Sequence, residues 1–205
     1  MKSYHQIYDE VLTIERDAIG KLLDTLDRAV MDRIVDLLRT VKQTDKKVIT
    51  AGCGTSGIAA EKIAHTLSVI EVPSFFLSPA HSVHGGMGAI SAGDAVVLLS
   101  KGGNTEEIAS YIPVCKAKGA VIIGITQREG STLGRAADLL FKMPETREAC
   151  PWDLIASASI LAVLAAFDAI VFAVMQHTDF TKGDFYRIHP GGAAGETLRV
   201  GGMEA

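Results

Sequence analysis

Apolar positions in the first forty residues recur at spacings of three and four. Ile7, Val11, Ile14, Ile19, Leu22, Leu23, Leu26, Val30, Ile34, Leu37 and Leu38 follow one another with acids and bases between them. That period belongs to an amphipathic helix, so residues 3–42 are expected to form one or two helices. They make an arm that packs on the core's flank or on a partner subunit. From Val48 the pattern changes to short, continuous apolar runs at 48–50, 72–77, 95–99, 121–125 and 139–143. Helical stretches separate the runs: one after Gly57, one from Thr105 to about Lys118, and a short one near 131–136. Continuous apolar strands alternating with helices predict a parallel sheet covered on both faces. The expected fold class is therefore α/β, a single-domain, doubly wound, five-stranded parallel sheet with an N-terminal helical arm. Ligands of such sheets sit off the carboxyl ends of the strands. No repeat or linker divides the chain. One domain is expected over 1–205, with the arm at 1–42, the α/β core at 46–178 and a C-terminal segment at 179–205.

One stretch meets the length criterion for a membrane span. Leu154–Met175 runs 22 residues with Asp168 as its single charge. It is rich in alanine and serine, however, and a charge inside a span costs roughly 3 kcal/mol on insertion scales. The expectation is a helix buried in a soluble oligomer. Composition agrees, since 48% hydrophobic residues and a mean hydropathy of +0.25 offer more apolar surface than a lone domain of 205 residues usually buries. A net charge of −4 provides no footprint for nucleic acid or anionic membrane. Cys53, Cys115 and Cys150 are odd in number and lack CxxC spacing, which suits a reducing cytoplasm better than a disulfide framework or a zinc site. The N-terminal residues lack the apolar core of a signal peptide.

Candidate chemistry concentrates in loops that leave the carboxyl ends of the predicted strands. The first, Gly52-Cys53-Gly54-Thr55-Ser56-Gly57, joins a strand to a helix start, where unpaired amides and the positive end of a helix dipole favour an anion. Its glycines fit the dinucleotide pattern, but Phe75-Phe76-Leu77-Ser78 has no acidic residue for a ribose. A single phosphate on something smaller is the better fit, with Gly54, Thr55 and Ser56 as its contacts. The plainer alternative is that Thr55 or Ser56 only caps the helix. The loop after the third strand, Ser100-Lys101-Gly102-Gly103-Asn104-Thr105, offers hydroxyls, backbone and one ammonium for phosphate oxygens. Glu107 falls in the first turn of the helix that follows. His81 and His84 are three apart, but no further ligands make a metal site of them, and a lone imidazole near a phosphate loop is better placed to exchange protons. Glu148 follows the last strand, and His189 precedes a rigid Pro190-Gly191-Gly192 turn.

Assembled, these residues resemble the SIS (sugar isomerase) domain family, most closely the catalytic domain of arabinose-5-phosphate isomerases, without the paired CBS domains that often follow. The family pattern runs Gly-x-Gly-Lys-Ser-Gly, His-Gly-Asp, Ser-x-Ser-Gly-x-Thr/Ser-x-Glu, Glu-Ala-Cys-Pro and His-Pro-Gly-Gly. In this chain the corresponding stretches are Gly52–Gly57, His84–Gly86, Ser100–Glu107, Glu148–Pro151 and His189–Gly192, and the likeness extends to about Leu198. Thr55 stands at the lysine of that pattern, Gly86 at its aspartate and Gly102 at its second serine. The resemblance implies a flavodoxin-like SIS fold, phosphate contacts at Ser56, Ser100 and Thr105, and catalytic roles for Glu107, Glu148, His84 and His189. It also implies a homotetramer that shares active sites between subunits.

The reaction so implied interconverts an aldose phosphate and a ketose phosphate through an enediol. It needs a carboxylate base, Glu107 or Glu148, and imidazoles, His189 with His84, to open the ring. No metal or organic cofactor is called for. The alternative is a sugar-phosphate-binding module or regulator without turnover, and lyase or amino-sugar chemistry on the same scaffold is a third possibility.

Overall fold

The computed structural model describes residues 1–193 and Glu196. The remainder of the segment 179–205, including the end of the family likeness at Leu198, lies outside the described residues. Two helices open the chain, α1 (Tyr4–Thr25) and α2 (Arg28–Lys42). Ser3 with Gln6 closes a capping box on α1, and the Asp27 carboxylate accepts from Val30 N–H to start α2. Five strands follow: β1 (Val48–Gly52), β2 (Ser74–Phe76), β3 (Ala95–Leu99), β4 (Val121–Thr126) and β5 (Leu139–Lys142). All are parallel, in the order β2-β1-β3-β4-β5, with Val48 opposite Ser74 and Ala95, and Ala95 opposite Val121. In this order the chain reverses its direction of winding between β1 and β3, and a crevice opens at their carboxyl ends.

Successive strand residues point to opposite faces, and each face has its own core. Val48, Ala95, Val97, Leu99, Ile123 and Phe141 pack under α2, α3 (Thr55–Val69) and α8 (Ala158–Gln176). Ile49, Ala51, Val96, Leu98 and Ile122 pack under Ile108, Tyr111, Cys115 and Leu133 on the other side. The arm folds back on the flank, α1 lying along α8.

Several boundaries differ from the pattern-based expectation, each for a local reason. β2 is three residues rather than six because Val72 N–H closes the end of α3 on the Leu67 carbonyl (3.0 Å) and Pro73 has no N–H to offer. The helix expected over Thr105–Lys118 is two: α5 (Glu106–Ala109) and α6 (Tyr111–Lys118). Pro113 cannot donate to Ala109, four residues back, and its ring crowds that carbonyl. The loop 78–88 contains one short helix, α4 (Pro79–Ser82), and the start of a 3-10 turn at Gly86–Ala89. Among the described residues two more helices have full ranges, α7 (Thr132–Ala136) and α9 (Lys182–Ile188).

The apolar stretch 154–175 becomes helical only at Ala158. The Leu154 and Ile155 amides are taken by Cys150 Sγ (3.2 and 3.1 Å), and the Ser157 amide by Glu148. Among the described residues α8 alone is long and apolar enough to cross a membrane, with a mean hydropathy of 2.4, and half of that window is buried against the other helices. Its one charge, Asp168, pairs with Lys62 of α3.

Candidate functional site

Three glycines shape the junction of β1 and α3. A Cβ on Gly52 would stand 2.5 Å from the Ser56 carbonyl oxygen, and one on Gly57 2.8 Å from that of Gly52. The first turn of α3 therefore sits directly on the strand end. Gly54 caps the helix at φ 57°, in the left-handed region that glycine adopts without penalty. It has no side chain to accept the first-turn amides, and neither Thr55 nor Ser56 makes a cap bond, so the capping-only alternative fails. The Thr55 and Ser56 amides open a helix of 15 residues with no acceptor of their own.

The loop after β3 is pinned from below. Ser100 Oγ bonds Thr105 Oγ1 at 2.8 Å and accepts from Gly103 N–H at 3.0 Å. Thr105 occupies the cap position of α5, but its hydroxyl is spent on Ser100 instead of on a helix amide. Since α5 is a single turn, it brings little dipole to the crevice. The Lys101 carbonyl accepts from Gln127 N–H (3.0 Å) and Thr126 Oγ1 (2.9 Å), which leaves the Lys101 side chain and Gly102 exposed at the tip.

Glu148 is fully buried. Its Oε2 accepts the Ser157 amide (2.9 Å), the Ser157 hydroxyl (3.3 Å) and the Ser159 amide (3.2 Å), so this distant carboxylate caps α8. Its Oε1 accepts from Ser159 Oγ (2.5 Å) and pairs with Lys101 Nζ (2.5 Å). Burial alone would push the carboxyl up. The Lys101 ammonium, the Ser159 hydroxyl and the two α8 amides outweigh it and hold the group at about 2. Ser157 and Ser159 escape a reading of the sequence, where they are two small residues at the head of an apolar helix. The signal that marks them is a serine at each of two alternate positions where a helix start has no cap of its own.

Ser56, Lys101, Gln127 and Ser159 line one small cavity of about 20 Å³, floored by Leu99, Ile125 and Met143 at the carboxyl edge of the sheet. His84 and Glu107, both exposed, line a second and wider crevice of about 580 Å³ with Gly52, Cys53, Gly54 and Glu61. Burial, and then the Glu107 charge, raise the Cys53 thiol there above its ordinary range. The glycine loop is common to both spaces; Glu107 lines the wider one, while Glu148 lines neither and lies behind Lys101 and Ser159 at the smaller. His189 lines neither; it ends α9, exposed and stacked on Phe185 with ring centroids 5.1 Å apart. Among the described residues no group of three or more His, Cys, Asp or Glu could hold a metal ion.

The depressed Glu148 carboxyl fixes the sign of a pH effect. Its contribution to stability is present above the ordinary value of 4.5 and is lost as the pH falls towards about 2. A shift of that size corresponds to about 3 kcal/mol. The stability gap between the protein and its Glu148→Gln variant, read from urea midpoints, is expected to close across that window. A gap unchanged from about pH 6 to about pH 3 would contradict the assignment.

Residues 43–173 match the SIS domain family. The chain is 36% identical over 185 residues to arabinose 5-phosphate isomerase KdsD of Pseudomonas aeruginosa, covering 90% of this chain and 56% of that protein. It is 35% identical to arabinose 5-phosphate isomerase KpsF of Escherichia coli O6:H1, covering 92% and 57%. It thus spans little more than half the length of these curated relatives. A solved structure from Escherichia coli CFT073 in complex with arabinose 5-phosphate superposes with a TM-score of 0.82 at 31% identity, covering 93% of this chain and all (100%) of that one. One from Listeria monocytogenes superposes at 0.87 with 36% identity and the same coverage. With the family model matched over most of its length and more than 30% identity to these relatives across it, the chain belongs to the SIS domain family.

Proposed function

We propose that this chain is a sugar-phosphate isomerase that interconverts an aldose phosphate and a ketose phosphate through an enediol. The observation that carries the reading is Glu148: an ionised, fully buried carboxylate whose partners Lys101 and Ser159 line the cavity shared with Ser56. Moving a proton between adjacent carbons needs such a carboxylate, held still and out of water. The phosphoryl group would lie at the start of α3, against the Thr55 and Ser56 amides, the Ser56 hydroxyl and the loop Ser100–Thr105. That remote contact would hold the sugar's reacting carbons over Glu148. The relatives named above are isomerases, which favours turnover over the binding-only module, and the arabinose 5-phosphate bound in a solved neighbour points to a pentose phosphate as the first substrate to try. Glu107 is the second choice of base, because it shares an open crevice with His84.

The same reading assigns His84, Glu107 and His189 to the site of another copy, since one chain does not bring them to the cavity beside Glu148. An apolar stripe on α1 supports assembly: Tyr4, Tyr8, Leu12, Ile19 and Leu23 are 77%, 58%, 64%, 41% and 63% exposed. We take the working form to be a cytoplasmic homotetramer, in keeping with three free cysteines. Thermal-shift screening against phosphorylated aldoses and ketoses, followed by NMR of each hit, tests the function. A ligand at a hundredfold its dissociation constant should stabilise by about 2.7 kcal/mol. Stabilising ligands that never interconvert would leave only the binding module.

A further inference from the structure

Glu148 has two kinds of partner. The amides of Ser157 and Ser159 are backbone groups at the start of α8, fixed by the helix they begin, and the two hydroxyls sit beside them. Lys101 can leave. Its backbone is clamped to the end of β4 through Gln127 and Thr126, while its side chain, 41% exposed, ends on Glu148 Oε1 after a flexible four-carbon stem. The same side chain lines the cavity with Ser56, at the start of α3. A single movable ammonium therefore stands between a buried carboxylate and a cavity that reaches the start of α3. Among the described residues no other lysine or arginine lines that cavity.

We propose that Lys101 is a shared cation that passes from Glu148 to the phosphoryl group of a bound ligand, so that filling the phosphate end of the site is what frees Glu148 to accept a proton. The exchange breaks the Nζ–Oε1 contact and forms an Nζ–phosphate oxygen contact, and no proton changes hands in it. A phosphate monoester at neutral pH carries nearly two charges against the carboxylate's one, which supplies the pull. The α8 donors keep Glu148 buried and oriented when the cation departs. An unphosphorylated sugar would leave the pair closed and the carboxylate too weak a base to act. The purpose of the exchange rests on the isomerase reading, whereas the exchange itself requires only that the site accept a phosphoryl group.

A double-mutant cycle on inorganic phosphate binding, followed by calorimetry at neutral pH on the intact chain, tests it. If phosphate must draw Lys101 off Glu148, then Glu148→Gln releases the lysine in advance and tightens phosphate binding about tenfold. In a Lys101→Met background, which itself binds phosphate more weakly, the same Glu148→Gln change should alter affinity less than about twofold. Mere removal of a nearby negative charge would tighten binding equally in both backgrounds, and that result overturns the proposal. So does a Glu148→Gln variant that binds phosphate no better, or a protein that binds no phosphate. Should Glu148→Gln fail to fold, the Lys101 Nζ resonance of the unsubstituted protein decides: phosphate must shift it with the same midpoint as the Thr55 and Ser56 amides, and an indifferent Nζ overturns the exchange. Turnover is a separate readout. A protein that exchanges Lys101 yet converts no sugar phosphate keeps this inference and loses the isomerase reading, and the converse result does the reverse.

Discussion

Glu148→Gln is expected to lower kcat for sugar-phosphate interconversion by about 10²–10⁴-fold, the usual worth of a positioned base. Shape is nearly conserved, so the variant should remain folded, with the amide oxygen still able to accept from α8. What it loses is the ability to take a proton. KM is expected to fall or hold, since the phosphate end is untouched and Lys101 loses its competing partner. Glu107→Gln, on the wider crevice, is the control that separates the two carboxylates. If Glu107→Gln abolishes turnover and Glu148→Gln retains it, the base is Glu107 and Glu148 is a helix cap only. If both abolish it, the site combines the two, and mixing the two inactive variants should restore activity in assemblies where one copy supplies Glu107 and another Glu148.

The second large effect is expected at Gly52. Its Cβ would lie 2.5 Å from the Ser56 oxygen, 2.6 Å from the Ser56 carbonyl carbon and 2.9 Å from the Gly57 nitrogen. All three are backbone atoms of the first helical turn, so no side chain can swing aside. Gly52→Ala must push α3 off the strand end, at a cost of about 3 kcal/mol, the upper part of the range for overpacking. At about 2–4 °C per kcal/mol for a chain of this size, the melting temperature should drop by roughly 6–12 °C. Phosphate binding should fall with it, because the displaced turn carries the Thr55 and Ser56 amides. Gly102→Ala is the comparison. That glycine meets nothing within 4 Å, and the change should be within about 0.5 kcal/mol of neutral. Equal melting temperatures for the two variants would mean that the close approach at Gly52 is not a constraint.

Much of the scaffold can be read from the chain itself, because its information is local. The spacing of three and four in the arm, the continuous apolar runs and the glycines between them mark α1, α2 and all five strands in place. Their alternation with helices decides that the sheet is parallel. Where expectation and structure part, at β2, at Pro113 and at Leu154–Ser157, single missing or diverted amides are responsible. Periodicity does not register those.

The chemistry divides differently. That Ser56, Lys101 and Glu148 are candidates follows from residue type and from position after a strand. That Lys101 and Glu148 meet does not, for they stand 47 residues apart, and only the order β3-β4-β5 with α8 folded across brings them together. The same packing withdraws Glu148 from water, supplies its serine donors, and leaves His84 and Glu107 on another crevice with His189 on neither. A run of residues specifies hydrogen bonds within a turn or a strand pair. It does not specify which distant side chains share a low-dielectric pocket, and here that sharing sets the charge of the carboxylate on which the proposed reaction depends.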